Sequence, residues 1–190
     1  MPRFLCIRHA QSVMNAEGRW QGQLDPPLTR EGRRQARGLA RVLAAGAGGR
    51  LAGLVASDLQ RAWQTACILG ETLGLRPEAH AGLRERDVGR WAGRTHAEIE
   101  RLWPGDYARL RAGDPELRPG GGESRRQLRE RVRATFAELA MRLPAGPIAV
   151  VTHMGVLRSL RPGLQLANTG CLWLAPDSVD ASRRPETLPA

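Results

Sequence analysis

The sequence predicts an α/β protein, a three-layer α/β/α sandwich with a mostly parallel sheet and a helical insertion over one end of it. Three observations carry this. Short apolar runs at Phe4–Ile7, Leu51–Ala56 and Ile148–Thr152 read as buried strands. Amphipathic stretches of helical period separate them, and strands alternating with helices mark βαβ units and a parallel sheet. Two of the runs stop abruptly on a histidine, as Arg8-His9 and Thr152-His153, at the strand ends where open α/β sheets collect ligands.

Each element follows in order. The first strand spans about Arg3 to Arg8, and a polar loop after it ends at Pro26-Pro27. Thr29 then caps a helix reaching about Ala44, with Glu31 in the first turn where the helix dipole favours a carboxylate. The Gly46–Gly49 stretch breaks that helix, and Leu51–Ala56 forms the second strand. Ser57-Asp58 opens a helix whose Leu59, Ala62, Ala66, Leu69 and Leu73 share one face, stopped by Gly74. A short strand near Leu75–Ala79 leads into the loop carrying Glu85.

From about 95 to 145 the chain reads mainly helical, as an insertion over the ligand-collecting end of the sheet. Thr95 with Glu98 and Ser124 with Gln127 both fit the capping box, in which each side chain satisfies an orphan amide of the first turn. Pro104, Gly105, Pro115 and Pro119–Gly122 mark loops. Leu128, Val132, Phe136, Leu139 and Leu143 form a core-facing stripe on the last helix. After the strand ending at Thr152, a short crossover leads to a final strand within Asn168–Leu174, and the polar tail from Asp177 to Ala190 is expected to fray.

The 190 residues suit a single domain, 1–190, able to bury a core without disulfides or metals. Cys6, Cys67 and Cys171 lie in or beside apolar stretches with no ligand spacing, so they read as small hydrophobes of a reducing compartment. Met1-Pro2-Arg3 leads straight into the first strand, which leaves no room for a signal peptide, and no apolar run approaches a membrane span. The expected location is cytoplasmic. The formal charge of +10 comes with 29 basic residues, every one an arginine. With so many Ala and Gly beside them, this is a compositional bias. Runs such as Arg30, Arg33, Arg34, Arg37 and Arg41 fall along solvated helix faces, so a nucleic-acid partner is not expected. The positive field instead favours anionic, phosphorylated substrates.

A lone histidine is most often a satisfied core or surface residue. Two of them, each just past a buried strand and one joined to Arg8, point to chemistry. His9 offers a nucleophilic imidazole and Arg8 a cation beside it. Arg61 falls in the first turn of the helix after the second strand, where its planar fork can grip phosphate oxygens. With His153, these make a pocket suited to a phosphoryl group whose charge spreads over three oxygens. The departing oxygen needs an acid. Glu85 comes first after its strand and is assigned that role, then that of base for water. Asp87 reads as a loop carboxylate, and Trp91 with Gly89 and Gly93 shapes the Glu85 loop. No carboxylate cluster for Mg²⁺, Walker-type loop or HExxH is present, so no metal and no cofactor is expected.

These motifs resemble, in order, those of the histidine phosphatase superfamily of phosphoglycerate-mutase-like proteins. Arg8-His9-Ala10-Gln11-Ser12 is similar to its Arg-His-Gly-x-Thr/Ser motif, with Asn15 at the spacing of a phosphate-contacting Asn. Gln21-Gly22 with Asp25–Thr29, the Ser57–Ala62 segment with Gln64-Thr65-Ala66, the Leu83–Gly93 donor segment, Gly121–Ser124 and Val151-Thr152-His153 match in turn. The resemblance implies Ser12, Asn15, Gln21, Gly22 and Met154 as substrate-binding residues beside the catalytic set His9, Arg8, Arg61, Glu85 and His153. Ala10 and Met154 stand where the family usually has Gly, and the stretch from His153 to Asn168 is shorter than usual.

The donor segment Glu85-Arg86-Asp87-Val88-Gly89-Arg90-Trp91 resembles the phosphatase branch rather than the Glu-Arg-His-Tyr-Gly of the mutases. The expected function is a metal-independent phosphomonoesterase that hydrolyses small phosphorylated metabolites through a phosphohistidine. A phosphoglycerate mutase and a catalytically impaired phospholigand-binding protein, the latter motivated by Met154, are the alternatives. The expected partner is a small phosphorylated substrate, with room left for a homodimer.

Overall fold

The structure, a computed structural model, describes residues 3–47 and 50–174. Five strands form one sheet: β1 (Arg3–Arg8), β2 (Gly53–Ala56), β3 (Pro77–Ala79), β4 (Pro147–Thr152) and β5 (Cys171–Leu174). Their order is β3-β2-β4-β1-β5, parallel throughout except for β5, which runs antiparallel to β1. Successive residues of a strand face opposite sides, and each side is filled. Phe4, Cys6, Ile148 and Val150 face one core, while Leu5, Ile7, Ala149 and Val151 face the other.

The helices are α1 (Val13–Ala16), α2 (Arg30–Val42), α3 (Gln60–Leu73), α4 (His96–Leu102), α5 (Pro104–Arg111), α6 (Arg125–Arg142) and α7 (Met154–Leu160). Ala40 of α2 and Ala62, Ala66 and Leu69 of α3 cover one face of the sheet. Leu128, Val132, Phe136 and Leu139 of α6, with Val156 and Leu157 of α7, cover the other. Phe136 meets Phe4 edge-on at 5.1 Å between ring centroids, a contact worth about 1 kcal/mol beyond its buried area.

The structure departs from the expectations in four places. The stretch from 95 to 145 divides: α4 and α5 pack in a satellite cluster with Trp91, Trp20 and Trp103, whereas α6 is a layer of the sandwich. The helix expected to open at Ser57-Asp58 starts at Gln60: Leu59 occupies the cap position and Asp58 is held by Arg84 at 2.8 and 2.5 Å. The expected helix to Ala44 ends at Val42 and continues as a wider turn over Leu43–Ala47, broken by Gly46 at φ 96°. Finally, β5 does not follow a crossover. The chain after α7 stays at the carboxyl end of β1, where Leu166 O accepts from Arg8 Nη1 at 2.6 Å and Arg8 O accepts from Thr169 N at 3.0 Å. It therefore enters β5 from that end and runs back down. Part of the Gly46–Gly49 break and the tail from Asp177 lie outside the described residues. Among the described residues no helix is long and apolar enough to cross a membrane.

Candidate active site

Strand register brings the two histidines together. Arg8 pairs with Thr152 across the parallel β1–β4 ladder, so the next residue of each strand, His9 and His153, emerges at the same sheet edge. Their ring centroids lie 5.1 Å apart at 59°. His9 is 3 % exposed and His153 fully buried. The Nδ1 of His9 lies 2.7 Å from Ala10 O. A carbonyl only accepts, so Nδ1 carries the proton and Nε2 keeps its lone pair. Burial, with Arg61 and then Arg8 adding repulsion against the bond to Ala10, pushes the His9 pKa down to about 3. His153 is likewise held well below the ordinary imidazole range, by burial first and then by Arg61. Neither of its ring nitrogens has a partner among the described residues. Both rings are therefore neutral at pH 7.

Two guanidinium groups flank this pair, each fixed by main-chain carbonyls. Arg61, in the first turn of α3, is fully buried and donates through Nη1 to Leu24 O at 2.7 Å and through Nη2 to Gly22 O at 2.8 Å. Burial lowers its pKa to about 10, which leaves it charged at neutral pH. Arg8 spends Nη1 on Leu166 O, and burial lowers its pKa while Glu85 opposes the shift. The Nε of each arginine has no partner among the described residues.

The loop after β1 shapes the cavity floor. Ser12 caps α1 in a reciprocal box with Asn15, at 3.2 Å in each direction, and its hydroxyl donates to Gln21 Oε1 at 2.7 Å. Asn15 and Gln21 line the cavity; Ser12, expected among the binding residues, does not, and its hydroxyl is bonded to Gln21 and to the amide of Asn15. Gly22 lines it too, in a left-handed turn at φ 51° where a Cβ would press on Val88. Its carbonyl faces Arg61.

On the opposite wall, Glu85 accepts from Arg86 N at 2.7 Å through Oε1 and from Gly155 N at 3.0 Å through Oε2. A Cβ on Gly155 would collide with that carboxylate, so glycine permits the approach. Met154 lines the cavity beside it, half-buried. Ala10, the other departure from glycine, is buried in a small pocket with Leu28 and Ala36, and its amide donates to Thr65 Oγ1 at 3.1 Å. Asp87 is no part of the cavity lining and bonds the amide of Gly89 in its own turn.

Two residues of this framework gave no signal in the sequence. Arg131 of α6 grips Glu123 with two bonds, at 2.9 and 2.8 Å, and donates to the carbonyls of Gly82, Arg84 and Glu85 at 2.8, 3.0 and 3.4 Å. It clamps the loop that presents Glu85. Asn168 donates to His9 O at 2.9 Å and to Asn15 Oδ1 at 3.4 Å, tying the end of β1 to the floor loop. In a chain where every basic residue is arginine, one more arginine does not stand out.

The whole cavity measures about 700 Å³. Its outer wall is made by Trp20 and His96, joined at 3.1 Å between Nε1 and Nε2, and by side chains of α6 and α7. Among the described residues no three His, Cys, Asp or Glu side chains converge as a metal site.

A neutral buried imidazole between two anchored arginines, with a carboxylate opposite, at the carboxyl edge of a parallel sheet, defines a phosphoryl-transfer enzyme. The chain belongs to the histidine phosphatase superfamily (branch 1), whose family model matches residues 4–173. It is 39% identical over 171 residues to a glucosyl-3-phosphoglycerate phosphatase of Mycobacterium tuberculosis, spanning 85% of this chain and 74% of the relative. It is 34% identical over 156 residues to phosphoglycerate mutase-like protein 4 of Arabidopsis thaliana, spanning 81% and 67%. Among solved structures, the mycobacterial glucosyl-3-phosphoglycerate phosphatase in complex with VO3 superimposes with a TM-score of 0.82 at 36% identity. That match covers 92% of this chain and 93% of the other. The enzyme is a phosphatase of this superfamily.

Proposed function

We propose that the enzyme is a metal-independent phosphomonoesterase in which His9 carries the phosphoryl group between a small phosphorylated metabolite and water. The observation that supports this most is the state of His9: neutral, with Nδ1–H committed to Ala10 O and the Nε2 lone pair free beside Arg8 and Arg61. Nε2 attacks phosphorus and the P–O bond to the leaving group breaks. Glu85 is the group that passes a proton to the departing oxygen. The same carboxylate then takes a proton from the incoming water, which attacks phospho-His9 and restores the imidazole. Arg8, Arg61, Asn15, Gln21 and neutral His153 supply donors for the phosphoryl oxygens, whose negative charge they are placed to meet.

The reading includes the cytoplasm as its location and leaves a homodimer open. Several arginines are engaged by carboxylates, among them Arg84, Arg109, Arg126, Arg131 and Arg142. This pairing supports the reading that nucleic acid is not a partner. The mutase alternative is kept by the mutase-like relative. Incubation with 3-phosphoglycerate separates the two, since a mutase yields 2-phosphoglycerate and a phosphatase yields glycerate and inorganic phosphate.

The central test is direct. Rapid quenching into alkali during turnover of p-nitrophenyl phosphate should trap a phosphopeptide containing His9. His9→Ala should lower kcat/KM by about 10⁴-fold or more, as removal of a covalent nucleophile does elsewhere, with circular dichroism unchanged. Near-normal turnover in that variant would remove His9 from the mechanism. Activity should also survive EDTA and be inhibited by vanadate.

A further inference from the structure

Beyond the groups that meet the phosphoryl end, the cavity carries cations that the proposed chemistry does not use. Its charged lining comprises Arg8, Arg61, Arg86, Arg125, Arg129 and Arg158 against the single carboxylate of Glu85. Arg8 and Arg61 are accounted for by the phosphoryl group. Arg86 is buried and occupied by Glu123 O at 2.8 Å and Leu117 O at 2.7 Å. The other three stand on the outer wall.

Their partners distinguish these three from most of their neighbours. On α6, Arg126 pairs with Glu116 and Glu130, Arg131 with Glu123, and Arg142 with Glu78. Arg125 and Arg129, one turn apart on the cavity face, have no carboxylate partner among the described residues; Arg133, outside the cavity lining, is the remaining one without. Arg125 donates only to Gly113 O at 3.1 Å. From α7, Arg158 reaches the same cavity. It is steadied by Leu164 O at 2.9 Å and Gln165 Oε1 at 2.7 Å, neutral acceptors that orient the guanidinium and leave its charge uncompensated. Like charges gathered on one wall repel, and a bound anion relieves that repulsion.

The size of the cavity agrees. About 700 Å³ lies in the range of sites for whole metabolites, and the phosphoryl group fills a small part of it.

Resting on the reading that the phosphoryl group sits at His9, we infer that Arg125, Arg129 and Arg158 form a second anion subsite, which selects phosphomonoesters bearing another negative group, a carboxylate or a second phosphate, at the end remote from the scissile bond. Arginine suits the outer role, since its fork takes carboxylate and phosphate alike.

Phosphonates test this without turnover, because their C–P bond is not hydrolysed. Isothermal titration at low ionic strength compares three ligands with a common phosphonate head: propylphosphonate, 3-phosphonopropionate and propane-1,3-diphosphonate. Six-carbon counterparts cover a longer span. At one tail length or the other, an anionic tail should tighten binding about tenfold or more over the neutral tail, as charge-assisted contacts do. Preference for the carboxylate or for the second phosphonate identifies which anion the subsite takes. In the Arg129→Gln/Arg158→Gln double variant, that ratio should fall to about threefold or less. The single variant Arg125→Gln, at an exposed position, provides an independent check on the same ratio. Equal binding of neutral and anionic tails at both lengths, or an advantage that survives the double variant, overturns the inference. The phosphoenzyme test fails or succeeds separately, since it turns on His9.

Discussion

The two ends of the cavity hold their arginines in different ways. At the inner end, Arg61 is fully buried and tied to the carbonyls of Gly22 and Leu24. At the outer end, Arg125, Arg129 and Arg158 are exposed, and only neutral acceptors touch Arg125 and Arg158. Carbonyls orient a guanidinium without cancelling its charge, and burial keeps water from screening it. The inner end is thereby preorganised for the charge that develops at phosphorus, a requirement common to every substrate. The outer end is screened by water and rich in rotamers, so it discriminates among tails by modest factors. Catalysis is built into the frame, and selection is left to side chains that can adjust.

That contrast breaks most visibly at Glu85. Glu85→Gln removes the proposed proton donor while the side chain still fills the space against Gly155. Phosphoenzyme formation should slow by about 10² to 10⁴ with an alkyl phosphate, the usual worth of general acid catalysis. The loss should be smaller with p-nitrophenyl phosphate, whose phenolate leaves without much help. Rapid-quench rates with both substrates measure it. An equal loss on both would place the acid elsewhere, and Asp87→Asn would then be compared.

Arg131 sharpens the comparison, because it belongs to neither end. It touches no cavity surface and acts by clamping Gly82, Arg84 and Glu85 through their carbonyls. Arg131→Lys keeps the charge beside Glu123 but loses the fork that reaches several carbonyls at once. The expected outcome is a fall of about tenfold in kcat with little change in KM, greater for alkyl phosphates than for p-nitrophenyl phosphate. That leaving-group dependence would separate displacement of Glu85 from general loosening. A uniform loss on both substrates would make Arg131 a stabilising residue only.

Much of this site was legible in the sequence, and the reasons are local. Once Phe4–Ile7 and Ile148–Thr152 are read as neighbouring parallel strands, His9 and His153 must emerge side by side. The stripe Leu128, Val132, Phe136 and Leu139 announced a core helix, and the two capping boxes appear with their reciprocal bonds. What stayed hidden depends on partners far away in the chain. Asp58 reads only as part of a helix opening, yet Arg84 claims it from 26 positions on. Ser12 looked like a ligand contact, yet its hydroxyl is spent on Gln21. The direction of β5 turns on bonds from residues 166–170 to the end of β1, which no periodicity encodes. Nor does sequence tell which arginines have carboxylate partners, since that depends on which face each presents.

The smallest effect concerns stability, and it tests whether the inner end is as strictly neutral in imidazole as burial requires. A histidine titrates near pH 6.5 in the unfolded chain, whereas His9 in the folded protein titrates at about 3. Between those values the unfolded state binds the extra proton. Stability is therefore fully present above pH 6.5 and is lost as the pH falls toward 3, by about 1.4 kcal/mol per unit for this one group. Other groups, including carboxylates held low by arginine, contribute to acid unfolding as well, so the variant must isolate His9. His9→Asn suits, because its amide nitrogen takes the place of Nδ1 and keeps the bond to Ala10 O. Urea unfolding at steps from pH 4 to 7.5 gives the difference in stability between the native enzyme and the variant. That difference should rise with pH by up to about 1.4 kcal/mol per unit below pH 6 and become flat above 7. A difference independent of pH would mean that His9 keeps an ordinary imidazole pKa in the folded protein, and the burial of the inner end would then no longer explain how its nucleophile stays neutral.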